Sequence, residues 1–551
     1  MIANGVEYSV RPSTLGTSGI YWALDKLHDF ARVHSMKKIL FGGVKVVIAL
    51  LGITACVFVA GINWPLALPE VSPRPEQLLL TNLALVDVES GSIIHGQSIL
   101  IREGQIVEIG SVISADGAQV VDGVGRYAIP GLFDMHAHSI KMSPALMHPL
   151  FVAAGVTAIR DMGGCIGESD AWVACADDKR RWNQQVSEGR LVGPRYDQIT
   201  SLAINGGSEI PDSVDRELGG ATAEGARRRV AFDKARGIDF LKTYTRLPRE
   251  GYFALADAAE REGMYLAGHL PLAVTAEEAV ASGQRSFEHA FLFIWDCYPA
   301  MAPMRVAGDP GAMFTNDMRT RMIAEHDPVR CAKLQQSMVE SGVAFVPTHT
   351  TRKLDAYATD ESYTGDARLK YIPAPLRTLW LEDASNMAER AGDGGAASYK
   401  AFYEFGIRQT GIAHRAGVIV LAGTDAPDSF AFPGSGLHDE FDHFALAGLS
   451  PIEILRTATL APANFLGLEG KAGVLKPGAR ADVVLLNSNP LVDIRAARDV
   501  HAVVLAGAHY DRAALDSMLA VTEHAAESWS MWPKFVWQIL RSPVMKKQFA
   551  D

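Results

Sequence analysis

The 551-residue chain has no long run of basic residues, and its formal net charge is -11. That excludes nucleic acid as a general partner, because polyanion binding rests on clustered lysine and arginine. Cysteine is scarce, at five residues. Charge itself is missing from one stretch: no Asp, Glu, Lys or Arg occurs between Val46 and Leu68. Such a segment is long enough to cross a bilayer. Arg32, Lys37, Lys38 and Lys45 precede its core, whereas Glu70 and Glu76 follow with only Arg74 between them. The preference of positive charge for the cytoplasmic side predicts a cytoplasmic arm over 1–36 and a transmembrane anchor or signal sequence over 37–64. The rest of the chain is then expected outside the cytoplasm, on the periplasmic side.

Two other export readings stay open. Met36-Lys37-Lys38 before an apolar run has the form of a signal peptide starting at Met36. "ITAC", ending at Cys56, has the form of a lipoprotein signal, although the residues after it stay apolar. Export permits disulfides. Among the four remaining cysteines, the local pairs Cys165–Cys175 and Cys297–Cys331 are the natural choice of three connectivities, with free thiols as the alternative.

A Pro-rich linker, 65–76, follows the apolar segment. Short apolar runs punctuated by turn residues then occupy 77–127, and the same pattern returns over 470–515. The two segments predict one small β-sandwich assembled from both sides of a central body, 128–469. Within that body, strand and helix patterns alternate, which predicts an α/β fold with a parallel sheet. Strand candidates end near His138, Asp161, Ser201, Tyr244, Leu270, Ala290, His349 and Asp425. Eight βα units suggest a (β/α)8 TIM barrel, with its site at the C-terminal strand ends. The stretches Asp296–Arg330 and Arg352–Tyr403 exceed ordinary loops and are expected to be lid insertions. A helical tail is expected over 516–551.

Chemistry concentrates at those strand ends. "DMHAH" places His136 and His138 two residues apart, on one side of a strand, as two ligands of one metal require. "GIDFLKTY" sets Lys242 directly after an apolar run, "AGHLP" ends in His269, "FEHA" in His289 and "AGTDAP" in Asp425. Four histidines, a lysine and an aspartate thus converge on one rim. Glu288 precedes His289 and is expected to point the other way, outside the site.

These motifs, with "PGLFDMHAH", "GVTAIRDMGG" and the long stretch from "LSPIEILRTATLAPANF" to "LLNSNPL", resemble the amidohydrolase superfamily. The likeness is to its imidazolonepropionase-like and Xaa-Pro dipeptidase (prolidase-like) branch, from about Gln77 to Leu515. The resemblance implies a binuclear metal centre, with one ion on His136, His138 and Asp425 and the other on His269 and His289. It also implies that Lys242 bridges them as a CO2-derived carbamate. An ammonium has no lone pair for a cation, so a ligand lysine must be modified or neutral. Two divalent ions, expected to be Zn2+, would share a hydroxide and polarise a carbonyl. Asp425 would move the proton to the leaving nitrogen.

Tyr244 and Arg246 continue the Lys242 side of that strand and, with His349, are substrate-contact candidates. The expected activity is hydrolysis of the C–N amide bond of a dipeptide, Xaa-Pro or N-acyl amino acid type. Cyclic amide or lactone hydrolysis, mononuclear aminohydrolase chemistry and a non-catalytic barrel are the alternatives. In the tail, Trp529, Trp532 and Trp537 among Lys534, Arg541, Lys546 and Lys547 suit a membrane interface. Homo-oligomerisation stays open.

Overall fold

The computed structural model describes residues 18–167, 169–307 and 315–548. The first part of the expected arm, 1–17, and the end of the tail, 549–551, lie outside the described residues. The described chain divides into two compact units, Met1–Trp64 and Pro65–Asp551.

In the first unit one helix runs Ser18–Asn63. Its segment Gly43–Asn63, 21 residues, is apolar and long enough to cross a membrane. At about 1.5 Å rise per residue, such a segment matches a hydrocarbon core about 30 Å thick. The helix exposes Val47, Ile48, Leu51 and Val59 on several sides. Apolar side chains all round a helix, rather than on one stripe, are what a lipid surrounding requires.

The second unit begins with β1 (Gln77–Asp87), β2 (Ser92–Arg102), β3 (Gln105–Gly110), β4 (Gln119–Asp122) and β5 (Tyr127–Pro130). Near the other end stand β14 (Val483–Leu486), β15 (Val500–Leu505) and β16 (Ala508–Tyr510). All eight join one sheet of order β16-β15-β14-β5-β1-β2-β3, with β4 paired to β1. The two flanking segments meet where β14 runs antiparallel to β5, Val484 opposite Ile129. The sheet also curls, because Ile106 N–H donates to the Ala479 carbonyl just before β14. Leu78, Leu80 and Leu85 of β1 bury into one cluster with Ile99, Ile101, Val483, Leu485 and Val504. Alternation puts Leu78 and Leu80 on one face, and the irregularity after Leu80 brings Leu85 back to it.

Between the flanking segments lie eight parallel strands in two sheets. One has the order β6-β7-β8: β6 (Leu132–Ala137), β7 (Val156–Asp161) and β8 (Arg195–Ile199). The other runs β13-β12-β11-β10-β9: β9 (Phe240–Thr243), β10 (Tyr265–Gly268), β11 (Gln284–Glu288), β12 (Ala344–Val346) and β13 (Ile419–Val420). Single parallel bridges join the sheets at both seams, Ile204 to Thr243 and Ala137 to Ala426. Helices such as Arg249–Arg261 alternate with the strands and bury one apolar side, here Tyr252, Leu255 and Ala259. Six of the eight end within two residues of the expected positions, whereas β12 stops at Val346, three before His349, and β13 stops at Val420, five before Asp425.

The two long insertions are helical. The first contributes helices Met301–Ala307, Asn316–Ala324 and Pro328–Glu340. The second is dominated by one 42-residue helix, Ala374–Arg415. Both local cysteine pairs are bridged, Cys165–Cys175 and Cys297–Cys331, with Cα separations of 5.0 and 4.9 Å. The tail helices run Arg512–Ala526, Met531–Arg541 and Pro543–Gln548.

Candidate metal centre

The ends of β6, β9, β10 and β11 and the turn after β13 carry the six residues singled out from the sequence. They come together. His138 Nε2 is 2.9 Å from Asp425 Oδ1, and His136 Nε2 is 3.2 Å from the same oxygen. His269 and His289 face each other with 2.9 Å between their Nε2 atoms. Lys242 Nζ lies 3.4 Å from His138 Nε2. Ligand atoms of His136, His289 and Asp425 all fall within 4.8 Å of one another.

Three of the four imidazoles are fixed through their other nitrogen. Glu288 Oε2 accepts from His136 Nδ1 at 2.8 Å. Thr245 Oγ1 lies 3.0 Å from His269 Nδ1, and Thr348 Oγ1 lies 2.8 Å from His289 Nδ1. Anchored Nδ1 atoms leave Nε2 as the free donor, the arrangement by which metal-binding histidines are oriented. His136 Nε2 is fully buried and makes no hydrogen bond. A buried polar atom without a partner is costly, and a cation among these donors would satisfy it. The residues present therefore fit a metal ion.

The local backbone serves the same end. His289, Thr348 and Asp425 have φ of 72°, 44° and 65°. Non-glycine residues in that region cost about 1–3 kcal/mol each and cluster where function fixes a geometry. Gly163 is needed for close approach: a Cβ there would stand 2.6 Å from His138 Nδ1. Beneath the ligands, buried Asp134 accepts from the His136 and Thr424 backbone N–H groups and from Thr424 Oγ1 at 2.6 Å. It ties β6 to the turn that carries Asp425.

Electrostatics keep Asp425, His269 and His289 in usable donor states, whereas at His136 burial is outweighed by Asp425 and Glu288, which raise the imidazole pKa. Burial raises the Asp425 pKa, but the His136 charge and the close approach of the His136 and His138 rings outweigh it, holding the carboxyl well below its usual range. Burial, with the Lys242 charge, lowers His269 to about 3, and burial and His269 lower His289 well below normal. Both imidazoles are therefore neutral, with a lone pair available, at neutral pH. Burial also lowers Lys242, against the opposing pull of Asp425 and Glu288.

Glu288 does point away from His289, yet it belongs to the site. It receives Arg160 Nη2 on Oε1 at 2.8 Å and His136 on Oε2, with all three side chains fully buried. Ser286 Oγ donates to the same Oε1 at 2.5 Å, and Arg160 Nη1 to Ser286 Oγ at 3.0 Å. Ser286 and Glu288, polar on alternate positions of a buried strand, were the available signal.

The substrate candidates divide. Tyr244 lies against the His269 ring, centroids 4.2 Å apart and planes tilted by 33°, and is part-exposed. Arg246 is exposed near it, and its backbone N–H bonds Asn205 Oδ1. His349 lies away from the exposed rim where Tyr244 and Arg246 stand. β12 stops at Val346, and His349 instead opens the helix His349–Tyr357, fully buried, with Nε2 2.9 Å from Thr410 Oγ1. Thr348 is what this strand end gives the site.

Residues 242–509 match the Amidohydrolase family. The matched stretch is just under half of the chain, and known proteins resemble it too. An adenine deaminase of Desulforamulus reducens is 35% identical over 88 residues, 16% of this chain. In that match the chain spans 15% of the relative's length. The solved bottromycin amidohydrolase superposes with a TM-score of 0.65 at 22% identity, covering 85% of this chain and 93% of that one. A Bifidobacterium longum structure described as a prolidase gives 0.54 at 22%, covering 82% and 100%. At these identities the likeness speaks to the amidohydrolase-type α/β fold.

Proposed function

We propose that the protein is a metal-dependent amidohydrolase that cleaves the C–N amide bond of a small dipeptide, Xaa-Pro or N-acyl amino acid. The observation that carries this reading is the cluster of four imidazoles around Asp425: His136 and His138 bring Nε2 to its Oδ1, His269 and His289 bring their Nε2 atoms within 2.9 Å of each other, and three of the four rings are anchored through Nδ1. The parallel strands are read as one closed (β/α)8 barrel, which the bridges at both seams support. The curled flanking sheet is read as the β-sandwich.

His136, His138 and Asp425 would hold one divalent ion, His269 and His289 a second, and Lys242 would bridge them as a carbamate. Burial favours the neutral Lys242 amine, the form that adds to CO2. When bound, the metals, with Zn2+ suited to such donors, polarise a carbonyl and lower the pKa of water toward about 7. Asp425 takes the proton of the attacking water and delivers it to the leaving nitrogen. Tyr244 keeps its proton, since burial and the charges of Asp425 and Asp428 raise its pKa. Its hydroxyl can thus donate to the substrate carbonyl.

Metal analysis tests the centre directly. The purified wild type is expected to carry about two metals per chain, with a CO2 adduct on Lys242 by mass or crystallography. Lys242→Ala is expected to lose most of that metal. One metal or none in folded wild type would sink the binuclear reading. The adenine deaminase match favours a second reading, hydrolytic deamination, so adenine belongs in the substrate panel beside dipeptides and N-acyl amino acids.

The chain is further read as membrane-anchored, with residues beyond the apolar span outside the cytoplasm. The 21-residue apolar span and the two disulfides support this. In the helix Met531–Arg541, Phe535 packs on Trp172 at 5.1 Å while Trp532, Val536 and Leu540 form one exposed stripe. Residues four apart on a helix share a face, and this one suits a lipid interface. A chain lacking 1–64 is expected to leave the membrane fraction yet sediment with phosphatidylglycerol vesicles. Trp532→Ser with Leu540→Ser should weaken that binding by about tenfold or more, from the lost apolar contact; unchanged sedimentation would remove the tail from the interface.

A further inference from the structure

Away from the strand ends, on the first helical insertion, a second group of donors stands together. The sulfurs of Cys297 and Cys331 and a ring nitrogen of His326 all lie within 4.8 Å of one another. Cys297 directly follows the helix Leu292–Asp296, His326 stands just before the helix Pro328–Glu340, and Cys331 sits in the first turn of that helix. The Asp327 backbone N–H donates to the Cys297 carbonyl at 3.0 Å, which holds the two segments in register. Both cysteines are buried.

The bridge between the two sulfurs does not account for what surrounds them. The Phe293 carbonyl accepts from the His326 ring, and His326 Nε2 is left fully buried without a hydrogen bond. One nitrogen anchored and the other bare is the orientation of a ligand histidine. The ring also packs on Phe405 of the long insertion helix, centroids 5.0 Å apart. Two buried amides flank one sulfur: Gln409 Oε1 lies 3.8 Å and Gln335 Nε2 3.9 Å from Cys331 Sγ. A disulfide needs neither imidazole nor amide, and a buried nitrogen without a partner is costly. A pair of thiolates holding a cation uses all three, since Gln335 donates to sulfur and Gln409 offers an oxygen. Zinc bonds of about 2.3 Å to sulfur and about 2.0 Å to nitrogen put tetrahedral donors about 3.5–4 Å apart. The sulfurs have only to part to that distance.

We propose that Cys297, His326 and Cys331, with Gln409 Oε1 as fourth donor, form a second metal site for a thiophilic divalent cation such as Zn2+, and that it opens only when the Cys297–Cys331 bridge is reduced. A dithiol gives two electrons to the S–S bond and two protons to the sulfurs, becoming a disulfide itself. The ion then displaces both protons and takes the two thiolates and the His326 lone pair. Exchange with an external disulfide, which accepts the two electrons and two protons, reforms the bridge and expels the ion. One ring thus has two exclusive closures, covalent and metal-bound. The site does not depend on the chemistry proposed for the strand ends.

Cobalt binding tests it, because the strand-end donors include no sulfur. The full chain in detergent, stripped with chelator and reduced with a phosphine under argon, is titrated with Co2+ and followed by its thiolate-to-cobalt charge-transfer absorption. About one sulfur-bound cobalt per reduced chain is expected, and none in the oxidised chain. His326→Ala leaves the bridge in place during folding; once reduced, it should bind the sulfur-held cobalt about tenfold or more weakly. No such band in a reduced chain that keeps its circular dichroism overturns the proposal, as does a band equally strong before reduction. Unchanged affinity in His326→Ala overturns it too, because the cobalt then sits on other thiols. A chain that unfolds on reduction and is not restored by Zn2+ also overturns it, since the ion then cannot close the ring.

Discussion

Asp425→Asn is expected to lower kcat by about 10²–10⁴-fold, the range over which a positioned general base contributes. The carboxamide keeps the size of the side chain and can still approach His136 and His138, but it cannot take a proton. In the wild type the carboxyl is held ionised by those two imidazoles, which touch Oδ1 at 3.2 and 2.9 Å. Its φ of 65° fixes the direction in which it presents itself. The measurement is kcat at saturating metal, with metal content determined on the same sample. A variant with full metal content and wild-type kcat would remove Asp425 from proton transfer. A variant that lost metal in proportion to activity would make it a ligand alone.

Glu288→Ala is expected to destabilise the second unit by about 3–5 kcal/mol, the cost of removing one partner from a buried ion pair. Arg160 and Glu288 are both fully buried, and the carboxylate also holds His136. Without it a guanidinium and an imidazole N–H are stranded in the interior. The same change should weaken metal binding by about 10–100-fold, as loss of a ligand's orienting partner does. Glu288→Gln retains a hydrogen-bonding side chain and should lose less on both counts. Chemical denaturation with and without chelator separates the two effects. If Glu288→Ala unfolds at the wild-type midpoint and binds metal normally, the network is ornamental.

The candidate ligand set is legible in the sequence because each member is a polar residue at or just after the end of an apolar strand, where the chain has no other reason to place one. His136, His138, Lys242, His269, His289 and Asp425 all meet that description. The groups that orient them do not. Arg160, Glu288 and Asp134 bridge strands that are distant in sequence, so their partners emerge only when the sheets assemble. His349 fails for a local reason. Its strand ends three residues earlier, at Val346, and a helix begins at His349, which turns the ring into the long insertion helix. The 21-residue apolar span reads directly from missing charge, whereas the helix already running from Ser18 has no comparable sequence mark.

The Cys297–Cys331 bridge closes a ring over an insertion whose members Thr315, Asn316 and Arg319 line a cleft shared with Phe291 and Arg352. Both ends of that ring are pinned to the body, close to where β11 leaves it and where the helix Pro328–Glu340 returns. The segment is therefore an exchangeable cassette. A change of sequence between those two anchors is expected to leave the strand ends of the candidate site mechanically undisturbed.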